Sequence, residues 1–266
     1  GEQIAWPLRL YQFNIGWTAK YLQVATPADL AQAQLDAEAA HKRAIMREIK
    51  RAIYGSANYS VRDHLIDNML LGVKRFVNAD GAGIPNGPNG ESFDGATHTH
   101  YDANNGWSAT VLTNSINDVI EHGHGASVRV AINTADETAV RALTGFVAYP
   151  DPRIVYRASD TPGQTLNISR LDNRAIGIFS GAEIWTKAWA LDNYPFIWDA
   201  GDPRKPLKFR QRSQTTLQGL RIAFENADYP LYAKDMEAEL GIGVGERTNG
   251  AVLYVGGASY TDPVIP

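Results

Sequence analysis

The chain has 266 residues, 44% of them hydrophobic, and a formal net charge of -4. Such a length and apolar content can bury a sizeable core in one large domain or two lobes, while the slight acidity gives no global attraction to nucleic acid. Cys is absent, which excludes disulfides and thiolate metal sites, and no apolar run approaches the roughly 20 residues needed to span a bilayer.

The opening residues Gly1-Glu2-Gln3-Ile4-Ala5 have neither the basic flank nor the apolar core of a signal peptide. Residues 4–25 are dense in aromatic and β-branched side chains, among them Trp6, Leu8, Leu10, Phe13, Ile15, Trp17 and Tyr21, which favours extended structure. No partner strand lies nearby in sequence, so this segment is expected to pair with something distant, such as another subunit. Thr26-Pro27-Ala28-Asp29 is a helix start, with a capping Thr, Pro in the first turn and an acid three residues after the cap. The helix reads to about Tyr54, with Gly55 as its stop. Leu30, Ala33, Ala37, Ala40, Ala44, Ile45, Ile49 and Ile53 trace its apolar stripe. At 1.5 Å per residue it is roughly 40 Å long, a structural spine.

Residues 63–77 read as a second amphipathic helix, and residues 81–95 as a loop rich in Gly, Pro and Asn. From Ser108 the pattern becomes compact α/β. Ser108 caps a helix that carries Val111, Leu112, Ile116, Val119 and Ile120 on one face and closes at Gly123. Val128, Val130 and Ile132 form a strand, and Thr134 with Glu137 forms a capping box for a helix ending near Leu143. Strands follow at 153–157, 175–179 and 183–189. Arg204, Lys205, Lys208, Arg210 and Arg212 are a basic cluster without the aromatic platforms of a single-strand binder, and read as a surface answering an acidic neighbour. Phosphate neutralisation alone would still permit non-specific contact with DNA.

Near the end, Met236, Ala238, Leu240, Ile242 and Val244 alternate with Glu237, Glu239, Gly241, Gly243 and Gly245. Period-two alternation of this length is a strand with one buried face. The glycines lie inside that strand, so they are not a phosphate loop, which follows a strand and opens a helix. Asn249-Gly250 reads as a tight turn and 251–255 as the returning strand of a hairpin.

The residues that could carry chemistry are few. His98-Thr99-His100, if extended, points two imidazoles to one face. His122 and His124 could add ligands, and Asp94 and Asp102 could supply carboxylates. The plainer account is a set of loop histidines that are solvated or bridge a subunit contact. His64 has no recognisable hydrolase partner, and no Gly-x-Ser-x-Gly elbow is present. Asp199, Asp202, Glu237 and Glu239 could be paired carboxylates, although the glutamates fall on the polar face of a strand. No catalytic, cofactor-binding or metal residue is assigned, and no cofactor is expected.

The order of elements resembles a tailed-phage major capsid protein of the Hong Kong 97 type. The likeness is sharpest at Lys234-Asp235-Met236 with the alternating strand, Glu246-Arg247 and Ala251-Val252-Leu253-Tyr254. Val128-Arg129-Val130-Ala131-Ile132-Asn133 before a capped helix adds to it. The resemblance implies an α+β fold: an extended N-terminal arm or loop at 1–26, a peripheral lobe with spine helix and insertion at 27–103, an axial lobe at 104–235, and C-terminal strands at 236–266 returning to the peripheral lobe. It implies a non-enzymatic structural protein of the virion, assembled in the host cytoplasm into an icosahedral shell around double-stranded DNA. Its partners would be copies of itself in pentamers and hexamers, with portal, scaffold or decoration proteins and no membrane. Two departures stand out: the segment before the spine is short for an arm plus a loop, and the insertion at 55–103 is long. Lys20, the sole Lys before the spine, has no local mark of cross-linking reactivity. An encapsulin-like nanocompartment shell is the alternative within the fold, and a zinc hydrolase using His98 and His100 the alternative outside it.

Overall fold

The computed structural model describes residues 4–62, 68–149, 173–226, 228 and 230–265. Strand β1 (Arg9–Thr18) and the single turn α1 (Ala19–Leu22) precede helix α2 (Pro27–Tyr54). Strands β2 (Tyr59–Arg62), β3 (Leu70–Val73) and β4 (Tyr101–Ala103) lead to α3 (Ala109–Ile120), β5 (Val128–Ile132), α4 (Glu137–Arg141) and β6 (Val147–Ala148). Then come β7 (Asn173–Phe179), β8 (Ala182–Lys187), β9 (Phe196–Asp199), β10 (Leu207–Arg210), β11 (Arg221–Asn226), β12 (Leu231–Val244) and β13 (Ala251–Tyr254). Seven strands form one sheet in the order β4-β13-β9-β5-β8-β7-β6, β12 gathers β1, β10 and β11 into a second, and β2 pairs with β3.

The spine helix stands where its sequence places it. Thr26 Oγ1 accepts from the Asp29 N–H while Asp29 accepts from the Thr26 N–H, closing the capping box. Gly55 ends the helix with φ at -75°, outside the left-handed region. Its absent side chain matters for space, since a Cβ would meet the Arg51 carbonyl at 2.9 Å and the Arg75 guanidinium at 3.2 Å. Ala37 and Ala44 are buried beneath the sheet built on β12, and Ile53 and Tyr54 are sealed at the junction with the larger sheet.

The N-terminal segment is extended, but its partner lies in the same chain. β1 runs antiparallel to β12 from Arg9 opposite Leu240 to Thr18 opposite Leu231. Ile15, Phe13 and Trp17 pack with Met236 and Ala37 against α2. The separation in sequence hid a pairing that only the folded chain brings together.

Strand β12 buries Met236, Ala238, Leu240 and Val244 as alternation requires, but Ile242 is half-buried while Gly241 and Gly243 are buried. The reversal comes from Trp6, whose indole N–H donates to the Val244 carbonyl at 2.8 Å. A Cβ on Gly243 would meet the Trp6 ring at 2.7 Å, and one on Gly241 the Pro7 carbonyl at 2.7 Å. These glycines are a trough for the N-terminal segment.

The expected C-terminal hairpin does not form. β13 leaves β12 and inserts into the larger sheet, parallel to β4 and antiparallel to β9. Asn249 and Gly250 lack the positive φ of a hairpin turn. The Asn249 side chain instead accepts from the Asp199 N–H at 2.8 Å and donates to the Arg204 carbonyl at 2.8 Å. A Cβ on Gly250 would collide with the Phe76 ring. Buried amide bonding and ring packing outweigh the local turn preference.

Other local readings are corrected as well. The helix expected over 63–77 is replaced, from Leu70, by strand β3, which follows a left-handed Asn68 (φ 59°) and pairs with β2; residues 63–67, with His64, lie outside the described residues, as does the strand expected at 153–157. The capping box at Thr134 is absent. Asn133 caps a short 3-10 turn by accepting from the Ala135 N–H, and Glu137 binds Arg141 and Arg174 instead. Ser108 occupies the cap of α3, but its hydroxyl makes no capping bond.

Beneath the start of the long irregular loop, Arg247 donates to the Arg75 carbonyl at 2.8 Å, to Asn78 Oδ1 at 3.0 Å and to Asp80 Oδ2 at 3.0 Å, with Lys74 on the same carboxylate at 2.8 Å. Burial alone would raise the Asp80 carboxyl, but the hydrogen bonds from Lys74 and the Ala82 N–H and the Arg247 charge together hold it well below the usual carboxylate range. Its folded value is thus depressed: the stabilisation is complete above the unfolded value of about 3.9 and is lost as pH falls through the folded value. Asp80→Asn is expected to cost about 3 kcal/mol, because it leaves a nearly buried guanidinium short of its counter-charge. Denaturant unfolding at neutral pH checks this, and the gap between variant and parent should narrow below pH 4.

Candidate functional site

Two stretches far apart in sequence meet beside the larger sheet. Asp94 forms a turn by accepting from the Ala96 N–H and the Thr97 hydroxyl, and its carbonyl accepts from the His98 N–H at 2.8 Å. Residues 98–100 then run extended beside 77–79: the Ala79 N–H donates to the His98 carbonyl and the His100 N–H to the Val77 carbonyl. The two imidazoles therefore share a side, as the His-x-His spacing anticipates. From the opposite direction α3 ends, Glu121 and His122 follow, and Gly123 turns the chain with φ at +81°.

Three imidazole nitrogens converge. His98 Nε2 lies 3.0 Å from His122 Nε2 and 3.3 Å from His100 Nε2, and His122 Nε2 lies 3.1 Å from His100 Nε2. Glu121 Oε1 is 3.2 Å from His98 Nε2 and 3.9 Å from His122 Nε2, yet it is buried without a hydrogen bond. The four donor atoms all lie within 4.8 Å of one another. His100 is fully buried, and its Nδ1 sits 2.9 Å from the Gly250 carbonyl. A carbonyl only accepts, so Nδ1 carries the proton and Nε2 presents its lone pair. The Phe93 ring covers His122 and His98 at centroid distances of 4.2 and 5.0 Å.

Burial drives the His100 imidazole well below its ordinary pKa, and burial with the neighbouring His98 and His124 takes His122 down to about 4. Burial lowers His98 too. Each shift favours the neutral imidazole, the form that binds a metal.

The other candidates are placed elsewhere. His124 is a satisfied core residue, with Asp202 at 2.7 Å on Nδ1 and the Thr248 hydroxyl at 2.9 Å on Nε2. Asp102 accepts from the Ser115 hydroxyl, and Asp94 makes the turn before His98. Asp199 accepts from the backbone N–H groups of Ala126, Ser127 and Gly201 and so orders a loop. Glu237 and Glu239 are not a catalytic pair: Arg221 is 2.6 Å from Glu237, and Arg212 binds Glu239. Two of the five residues of the basic cluster answer acids, within this chain, and two more reach backbone carbonyls. Arg204 grips Asp202, Arg212 grips Glu239, Arg210 donates to the Trp6 carbonyl and Lys205 to the Ala200 carbonyl. Glu121 escaped the sequence reading; its signal was a carboxylate adjoining His122 at a helix end.

No protein-family model matches the sequence, and no curated protein matches it either. Solved structures do. A chain from Mycobacterium phage Patience is 23% identical, with a TM-score of 0.78 over 98% of this chain and 74% of that one. The holo-SrpI encapsulin complex from Synechococcus elongatus PCC 7942 matches at 11% identity and a TM-score of 0.50, over 96% of this chain and 76% of that one. With a capped spine helix, a β12-centred sheet and a mixed seven-stranded sheet already in place, these matches give the chain the α+β Hong Kong 97-like capsid fold.

Proposed function

We propose that the chain is a shell subunit: a phage major capsid protein that self-assembles into an icosahedral particle around double-stranded DNA. The observation that carries this reading is the match to a phage chain across 98% of the length at a TM-score of 0.78. A second, physical observation supports it. Ile222 and Phe224, on a strand that among the described residues pairs only with β12, are 51% and 57% exposed. An open apolar edge strand is a template for another chain.

In this reading α2 and the β12 sheet form the peripheral lobe. The seven-stranded sheet with α3 forms the axial lobe, which β4 and β13 join from outside residues 104–235. Copies associate as pentamers and hexamers, with portal, scaffold or decoration proteins as further partners, in the virion and assembled in host cytoplasm. No helix among the described residues is long and apolar enough to cross a membrane. Four members of the basic cluster bond within the chain, and contact with packaged DNA is non-specific. A hydrolase at His98 and His100 would need an open coordination position; Glu121 beside the three imidazoles and Phe93 over them support a structural role instead.

Electron microscopy of the purified full chain tests the proposal. Closed particles of uniform size are expected, and nuclease-protected DNA in native particles marks the phage reading. Protein cargo without nucleic acid would transfer the chain to the encapsulin-like alternative, which the TM-score of 0.50 supports less well. A monomer that persists at high concentration would overturn both.

A further inference from the structure

The converging histidines have no satisfactory arrangement on their own. Each Nε2 has one in-plane position, filled by either a proton or a lone pair. His100 must present its lone pair, because its Nδ1 proton is committed to the Gly250 carbonyl. If His98 and His122 both carry Nε2 protons, these crowd one acceptor from 3.3 and 3.1 Å while facing each other across 3.0 Å. If only one does, the other ring's lone pair still faces that of His100, at 3.3 Å from His98 or 3.1 Å from His122; if neither does, three lone pairs and the buried Glu121 oxygen point at one another. A cation at their centre satisfies all four donors at once.

We propose that His98, His100, His122 and Glu121 form a structural metal site that takes one zinc ion. Zn–N bonds of about 2.0–2.1 Å set tetrahedral ligand atoms about 3.3 Å apart. The three imidazole edges measure 3.0–3.3 Å and the His98–Glu121 edge 3.2 Å. Glu121, with 35% of its side chain exposed, has two longer edges to close, 3.9 Å to His122 and one within 4.8 Å to His100. Three imidazoles and a carboxylate, without thiolate, suit zinc in a mixed nitrogen and oxygen shell, whereas calcium and magnesium want oxygen alone. Two supports around the donors fit: the His100 Nδ1 bond to a backbone carbonyl fixes its tautomer, and Phe93 screens the centre from solvent, while the buried His122 Nδ1 has no acceptor among the described residues.

The ion's work is mechanical. Between β3 and β4 the chain has little regular structure, and Asp80 with Arg247 anchors only its start. Zinc fastens the far end of that loop to the end of α3. Through His100 and Gly250 it also fixes the approach to β13, which enters the larger sheet one residue later. In a chain without Cys, this supplies a cross-link that a disulfide cannot.

The test uses the full chain, stripped with chelator and dialysed against zinc, with metal measured by mass spectrometry and the thermal midpoint followed in parallel. About one zinc per chain is expected, since four protein donors close one site. His98→Ala and Glu121→Gln are expected to lose stoichiometric binding. His98 is partly exposed and Gln keeps the shape of Glu, so both variants should stay folded, which far-UV circular dichroism checks. His41→Ala, a histidine outside the cluster, should keep the metal. Chelator should lower the midpoint of the parent chain and leave that of Glu121→Gln unchanged. Cobalt(II) substituted for zinc should give the visible absorption of a tetrahedral centre in the parent alone. A folded parent chain that takes up no zinc or cobalt overturns the proposal and leaves a bare imidazole cluster. Binding by His98→Ala and Glu121→Gln as tight as the parent's overturns it equally.

Discussion

Met236→Asp is expected to leave no soluble folded chain, whereas Ile242→Asp, on the same strand six residues later, is expected to fold. Met236 is 7% exposed and packs with Ile15, Ala37, Phe13 and Trp17 between the β12 sheet and the spine helix. Removing a buried side chain of this size costs about 2–5 kcal/mol. A carboxylate placed there without a partner adds several more, against a total stability of about 5–15 kcal/mol. Ile242 is half-buried and borders a cleft that holds Arg9, Arg51 and Arg75 with the single acid Glu48, so a carboxylate there meets an excess of cations. Soluble yield and the denaturation midpoint of the two variants decide the matter. Equal behaviour would mean that Met236 and Ile242 are buried alike.

The second large effect is on assembly. The double variant Ile222→Glu/Phe224→Lys is expected to fold with a nearly unchanged thermal midpoint and to form no closed particles. Both side chains are more than half exposed, so neither loses a packed environment. Lys at 224 stands opposite Asp235 across the β11–β12 pair, which supports the fold. Only a little over half of each side chain is still open, so burial between copies would contribute about half of the roughly 1.5–3 kcal/mol of a full burial. Two per subunit come to about 1.5–3 kcal/mol, roughly one to two factors of ten in association, and the introduced charges add their desolvation to that. Size-exclusion chromatography and electron microscopy are the readouts. Particles of normal size from the double variant would remove β11 from the shell contact, and the proposed function would then rest on the fold likeness alone.

Residues that act on their near neighbours were determined by the sequence itself. Helix α2 follows from Thr26, Pro27 and Asp29 at one end and an Ala-rich stripe along its length, all within reach of one turn. Alternation specified β12 as a strand, and His-x-His set two imidazoles on one side, for the same reason. What the folded chain alone decided were pairings between residues far apart. β1 meets β12 across more than two hundred residues, and Trp6 buries glycines that alternation had assigned to solvent. Asn249-Gly250, a turn by local preference, is claimed by Asp199, Arg204 and Phe76, whose buried contacts outweigh a turn worth little by itself. The fourth donor of the histidine cluster is of the same kind: Glu121 has no periodicity or spacing to His98, and only the meeting of the loop with the end of α3 brings it there.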